Sequence, residues 1–315
     1  MAPEYAKAAK VLKLYNSEIR LAKVDGKTYS ALSSKYKIHG YPAYKFFIGG
    51  ESIVYTGSRS SKDIVKWLMK KSGPPFALLN SSEDFYKFKT PSDVVVVGLF
   101  RDLQSAASKQ FITVALLVDS VYFGISSNSS VFDTVEVTSD NSIVIFKKFD
   151  EGRADFDGQF NADEIKKFIL ANQLALVTEF NADTVQDIFH NEIKVLNLLF
   201  AIKKSENFES TLAEFKEAAN STKGRVIFVF VNIDVDDNLR AMEYYNLEKE
   251  DAPQVLLISM GNENNNKYKL DTSSITSAVV SRFVEDFFAK KLNAHLFSAA
   301  IPEGISLFTI LDHYY

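Results

Sequence analysis

The sequence predicts an α/β chain of tandem domains, one partial and two complete, each a central mixed sheet flanked by helices. Three observations predict it. A strand, its hairpin partner and an amphipathic helix recur in that order three times along the 315 residues. Uninterrupted apolar runs such as DVVVVGLFRD (Asp93 to Asp102) read as strands buried on both faces, as in a parallel sheet. The length also exceeds what one core needs, since a domain takes roughly 100 to 150 residues.

The first segment reads as strand EIRLAKVD (Glu18 to Asp25), helix YSALSSKYKI (Tyr29 to Ile38) and a Tyr-Pro turn at Gly40-Tyr41-Pro42. Ala43 to Ile48 is apolar and aromatic, Gly49-Gly50 marks a hairpin turn, and Ser52 to Tyr55 is the return strand. A helix from Ser60 to Lys71 follows. Ser60 or Ser61 stands ahead of Asp63, so a hydroxyl can accept from an orphan amide while the acid sits in the favourable field of the helix start. Ile64, Trp67 and Leu68 then fall at i, i+3, i+4 and give the helix one apolar face.

The second copy has a helix at SSEDFYKF, the strand at Asp93 to Asp102 and a helix-strand-helix stretch to Val137. Next come a strand SIVIFKKF (Ser142 to Phe149), a turn DEGRADF, a partner strand DGQF and a helix Asn161 to Asn172. Asn161 precedes Glu164 by three residues, and Ile165, Phe168 and Ile169 repeat the apolar spacing. The third copy has the strand IKVLNLLFAIKK (Ile193 to Lys204), the helix Phe208 to Ser221, the strand RVIFVFVNID and a helix Asp237 to Leu247. It closes with strand QVLLISMG (Gln254 to Gly261), a polar turn GNENNNK, strand YKLD and a helix from about Ser277 to Lys291, with Phe283, Phe287 and Phe288 on one side. Boundaries are expected near Pro74-Pro75 and Leu174 to Val177, giving domains 1–74, 75–174 and 175–293 and a tail 294–315.

Several phrases also carry a family resemblance. LAKVD, GYPAYKFF, TGSR and DIVKWL resemble the protein disulfide isomerases, multidomain chains of thioredoxin-like modules. The opening MAPEYAKAAKVLKLY resembles the helix that follows that family's Cys-Gly-His-Cys dithiol, with Met1 standing where the motif would end. The likeness is dense through Pro74 and looser to about Gly304. It implies the back half of a first catalytic domain followed by two non-catalytic thioredoxin-like domains. The partial domain would then lack two strands and a helix, leaving apolar faces of its residual sheet partly uncovered.

The resemblance implies an enzyme of thiol-disulfide exchange, but the composition excludes that chemistry for these residues. Exchange requires a thiolate to attack a disulfide sulfur, and the chain has no cysteine. It cannot oxidise, reduce or isomerise disulfides by itself. The net charge of −4 argues against nucleic acid as a partner, because such domains carry a basic footprint. No apolar run approaches the roughly 20 residues of a membrane span, the nearest being Arg225 to Ile233. His39, His190, His295 and His313 have no metal-ligand spacing, and the acidic groups Asp234, Asp236, Asp237 and Glu248, Glu250, Asp251 do not follow a calcium-loop pattern. No metal and no cofactor is expected.

Residues that the family places around its dithiol have counterparts here. By resemblance Pro42 is a cis-proline, Arg59 corresponds to an arginine that lowers a thiolate pKa, and Lys23 to a lysine paired with a buried acid. Pro253 occupies the position equivalent to Pro42. Without a dithiol, Arg59 is expected to be a solvated loop cation and Lys23 to face solvent.

Function is expected in the third domain, where the resemblance implies a hydrophobic groove for unfolded or partly folded polypeptide. Its positions here are Leu198, Phe200, Phe215, Val226, Phe228, Tyr244 and Tyr245. Such side chains bind apolar segments through area instead of a hydrogen-bond code. The tail ISLFTILDHYY departs from the family and is expected to fold over that groove through Phe308 or Leu311. The favoured function is redox-inactive binding of polypeptide during folding. Two alternatives are an incomplete sequence of an active isomerase with its dithiols elsewhere, and a non-catalytic structural subunit of a larger assembly. The resemblance implies the endoplasmic reticulum lumen, although MAPEYAKAAK is no signal peptide and ILDHYY no retention signal. The sequons at Asn80, Asn128 and Asn220 would be usable there.

Overall fold

The computed structural model describes residues 2–294 except 39, 56, 58, 59, 190, 262–264 and 273, and the backbone only at 186. The chain forms two compact units, Met1–Pro75 and Phe76–Tyr315.

In the first unit, α1 (Ala2–Leu14) and α2 (Ser30–Lys35) precede a hairpin of β1 (Lys45–Ile48) and β2 (Glu51–Val54), and α3 (Ser61–Ser72) closes it. Ser60 is the cap of α3, its hydroxyl accepting from the Asp63 amide at 3.1 Å. Ala8 and Leu12 of α1 bury against Ile64, Val65, Trp67 and Leu68 of α3, with Phe46 and Tyr55 packed beside them. The outer side of the hairpin carries Phe47 and Val54, both more than half exposed. Tyr36 meets Phe47 edge-on at 5.0 Å.

Glu18 to Asp25, expected as a strand, is not one. A strand persists where its amides and carbonyls find a ladder, and the described sheet of this unit has two strands that pair only with each other. Ile19 and Leu21 turn inward against the helical core, while Lys23 is exposed.

The second unit contains the same sheet twice. The elements of the first copy are β3 (Ala77–Leu78), α4 (Ser82–Lys89), β4 (Val94–Phe100), α5 (Ala106–Leu117), β5 (Tyr122–Ser126), α6 (Ser129–Val135), β6 (Asn141–Lys147), β7 (Arg153–Asp155) and α7 (Ala162–Asn172). Its strand order is β3-β5-β4-β6-β7, with β3, β5 and β4 parallel and β6 and β7 antiparallel. The second copy has β8 (Val177–Glu179), α8 (Val185–Phe189), β9 (Val195–Ala201), α9 (Phe208–Ser221), β10 (Ile227–Asn232), α10 (Asp236–Tyr244), β11 (Gln254–Met260), β12 (Asn265–Lys269) and α11 (Ser277–Phe288). The order β8-β10-β9-β11-β12 repeats the first, strand for strand.

Local chemistry explains where the elements differ from the sequence reading. The partner of β6 is Arg153–Asp155 and not DGQF, because the turn is tight: the Lys147 amide donates to the Gly152 carbonyl at 3.0 Å, and Gly152 takes φ +72. Likewise β12 begins inside the polar stretch, at Asn265 instead of Tyr268, as the register with β11 pairs Met260 with Asn265. Helix α10 stops at Tyr244, short of Leu247, where Asn246 adopts φ +50 and the Leu247 amide turns back to the Met242 carbonyl. Helix α11 stops at Phe288, with Lys290 at φ +56. The short elements β3, β8 and α8 went unrecognised in the sequence.

Candidate functional site

The second sheet of the large unit is apolar on both faces, and its two faces are covered unequally. Strand alternation sends Leu199, Phe228, Phe230, Val255 and Leu257 to one side. There α9 and α11, 14 and 12 residues long, contribute Phe215, Ala218, Val280 and Val284 and seal the core. Leu196, Leu198, Phe200, Val229 and Val231 point to the other side. Its cover is α8 and α10, with 5 and 9 residues. At 1.5 Å rise per residue, α8 is only about 7 Å long, against about 21 Å for α9. The short pair leaves a narrow gap above the centre of the sheet, whose side chains stay buried.

The gap is a narrow cleft of about 30 Å³. That is room for roughly two waters or the tip of one apolar side chain. Leu198, Phe200, Val229 and Val231 form the floor, Phe180, Ile188 and Phe189 one wall, and Ala241, Tyr244 and Tyr245 the other. Phe180, Phe189, Ala241 and Tyr244 are half-buried and make the rim. The rings interlock edge to face: Tyr244 with Tyr245 at 5.0 Å, Phe200 with Tyr245 at 5.8 Å and Phe180 with Phe189 at 6.4 Å. Burial pushes the phenol pKa of both tyrosines up. The Lys267 ammonium stands 4.0 Å from the Tyr244 ring centroid and 4.9 Å from that of Tyr245.

The structure divides the seven expected groove residues by sheet face. Leu198, Phe200, Tyr244 and Tyr245 converge on the cleft. Phe215, Val226 and Phe228 belong to the sealed core behind the sheet, where the Phe215 and Phe228 rings meet tilted, with centroids 4.8 Å apart. Phe228 and Val229 are neighbours in β10, and the pleat sends them to opposite faces. The wall from Phe180 to Phe189 was missed in the sequence reading. Its signal was weak: Asn181, whose Oδ1 accepts from the Asp183 and Thr184 amides, is a turn former, and only Val185, Ile188 and Phe189 follow at i, i+3, i+4.

The remaining expected positions are scattered. The Tyr41-Pro42 and Ala252-Pro253 bonds are cis. Lys23 is exposed in the small unit. Arg59, the four histidines, and Phe308 and Leu311 of the tail lie outside the described residues. Asp234 accepts the Lys204 amide, and Asp251 Oδ2 accepts the Glu248 amide at 2.8 Å. Among the described residues no group of three or more His, Cys, Asp or Glu could hold a metal, and no helix is long and apolar enough to cross a membrane.

The sheet order, repeated twice, agrees with comparison to known proteins. A family model described as a thioredoxin-like domain matches residues 100–286, and a thioredoxin model matches residues 1–70. Protein disulfide-isomerase from Gallus gallus is 42% identical over 96% of this chain. This chain belongs to the thioredoxin-like protein disulfide isomerase family. Protein disulfide-isomerases from Oryctolagus cuniculus and Drosophila melanogaster are 40% and 36% identical, again over 96% of the chain. The chain spans 59% to 61% of the length of these three relatives. The fold is also similar to that of the zinc-bound form of human ERp44, with a TM-score of 0.53 and 20% identity over 92% of this chain and 84% of that one. The relatives are named for disulfide isomerisation, whereas this sequence has no cysteine.

Proposed function

We propose that this chain is a redox-inactive member of its family that holds apolar segments of unfolded or partly folded polypeptide in the cleft between α8 and α10. The observation that carries the reading is the cleft itself, a narrow aromatic and aliphatic slot with a half-buried rim that a peptide side chain would have to widen. A wall of rings and hydrocarbon recognises its ligand through buried apolar area, so it accepts many sequences and favours chains whose side chains are still exposed. Folded proteins have buried those side chains; folding intermediates have not. Membership of the family supports the same role, and the endoplasmic reticulum lumen is the compartment that goes with it. With no cysteine, these residues contribute binding and no electron transfer.

The test is fluorescence anisotropy of a labelled apolar peptide. Ala241→Trp, which fills the cleft from its rim, should abolish binding while leaving the urea midpoint in place. Leu116→Ser, which removes an exposed leucine of α5 on the other sheet, should leave binding intact. Equal binding by Ala241→Trp and the unaltered chain would overturn the proposal.

A further inference from the structure

Two of the three Asn-X-Ser/Thr triplets, far apart in the chain, meet at one corner of the first sheet of the large unit. Asn80-Ser81-Ser82 follows β3, and Asn128-Ser129-Ser130 follows β5, the parallel neighbour of β3. Ser126 Oγ donates to the Leu79 carbonyl at 2.6 Å and ties the two strand ends together. Just beyond them Ser82 Oγ lies 3.2 Å from the Ser130 carbonyl oxygen and 2.7 Å from Thr134 Oγ1. Asn80 and Asn128 are both exposed, as are Ser127 and Ser129. Asn128 Oδ1 accepts the Ser130 amide at 2.9 Å and the Ser130 hydroxyl at 2.8 Å, so the oxygen end of its amide is engaged by the fold. Its Nδ2, like the whole Asn80 side chain, makes no hydrogen bond among the described residues. The third triplet belongs to the other sheet, with Asn220 in the last turn of α9.

We infer that Asn80 and Asn128 are acceptors of N-linked oligosaccharide, so that this corner carries glycan and faces solvent. The inference rests on the lumenal compartment proposed above. Transfer joins an asparagine Nδ2 to the anomeric carbon of an oligosaccharide held on a lipid diphosphate. The sugar-phosphate bond breaks, the lipid diphosphate leaves, and one Nδ2 proton passes to a base of the transferring enzyme. The folded chain must then accommodate a bulky hydrophilic group, and both positions allow it. The linkage uses the nitrogen of Asn128 and spares the oxygen, so the start of α6 keeps its cap. At Asn80 the fold uses the backbone amide, which donates to Asp84 Oδ2 at 3.1 Å, and leaves the side chain to solvent. Cover of that bulk keeps the corner out of any protein interface.

The test is expression of the full chain, in an Asn220→Gln background, behind a secretory leader and a linker that carries a reporter acceptor triplet. Partial digestion with an N-glycosidase should give three mobility steps, one from the reporter and two from the corner. Mass spectrometry of the digested chain should find positions 80 and 128 converted to aspartate. Asn80→Asp and Asn128→Asp should each remove one step, the second while keeping the capping oxygen. Ser82→Ala and Ser130→Ala should do the same with both asparagines in place. A glycosylated reporter on a chain whose Asn80 and Asn128 stay bare overturns the inference and leaves the compartment and polypeptide-binding readings standing. Occupancy of one position alone overturns it for the other.

Discussion

Glu151 and Lys223 are joined by a 3.0 Å ion pair that links the two sheets of the large unit, and the same carboxylate oxygen lies 2.8 Å from the Lys147 ammonium. The Lys147 side chain is fully buried at the end of β6, with Asn172 Oδ1 at 3.3 Å as a further acceptor. Desolvation lowers the pKa of Lys147, and Glu151 opposes that shift.

Replacing Glu151 therefore leaves a buried ammonium with a neutral amide contact. Because the carboxylate itself reaches water, Glu151→Gln is expected to cost about 1–2 kcal/mol, less than a fully buried pair. A lower urea midpoint at neutral pH checks it. Burial alone would raise the Glu151 carboxyl pKa, but the bonds from Lys147 and Lys223 outweigh it and hold the group at about 2, below its ordinary 4.5. The stabilising contribution is thus complete above 4.5 and is lost as pH falls through about 2. Glu151→Gln should lose less stability than the unaltered chain across that window, and identical acid profiles would contradict the assignment.

Asn197 is fully buried in β9 between Phe228 and Leu257, and neither polar atom of its amide has a hydrogen-bond partner among the described residues. An orphaned amide in an apolar core carries its full desolvation cost. Asn197→Leu should raise the unfolding free energy by about 1–2 kcal/mol. An unchanged or lower urea midpoint would show that the core needs that amide.

Phe228 and Leu198 lie on opposite faces of one sheet, and truncation should reveal the difference. Phe228→Ala opens a void in a sealed core and should cost about 3–5 kcal/mol. Leu198→Ala only widens an existing narrow cleft, so its cost should sit at about 2 kcal/mol, the low end of the range for leucine. Chemical denaturation of the two variants compares them directly, and the reverse order would contradict the placement of the cleft.

Insulin reduction by these 315 residues should remain at the background rate with any thiol reductant. The sequence holds no cysteine to form the mixed disulfide that exchange requires. Turnover above background would contradict it.

Much of the fold could be read from residue order, because hairpin turns and capped amphipathic helices are local. Asn161 caps α7 through the Glu164 amide at 2.9 Å, as its spacing suggested. The hairpin partners β7 and β12 were displaced by a few residues, since turn geometry at Gly152 and ladder register decide where pairing begins. Glu18 to Asp25 has strand composition but no described ladder partner, which sequence composition cannot reveal.

The site was half legible. VLNLLFA and IFVFVN are apolar at nearly every position, so a period of two labels neither face. Leu198 and Phe228 looked alike for that reason. The wall from Phe180 to Phe189 hides in a five-residue helix, too short to produce a strong periodic signal.

The residues alone determined that the chain has no thiol chemistry and that one hairpin-and-helix module recurs, since the first depends on composition and the second on local pattern. Tertiary packing decided which apolar side chains are core and which form a binding surface. The physical reason is coverage: α9 and α11 are long enough to seal one side of the sheet, while α8 and α10 are short and leave a narrow cleft over Leu198 and Val229.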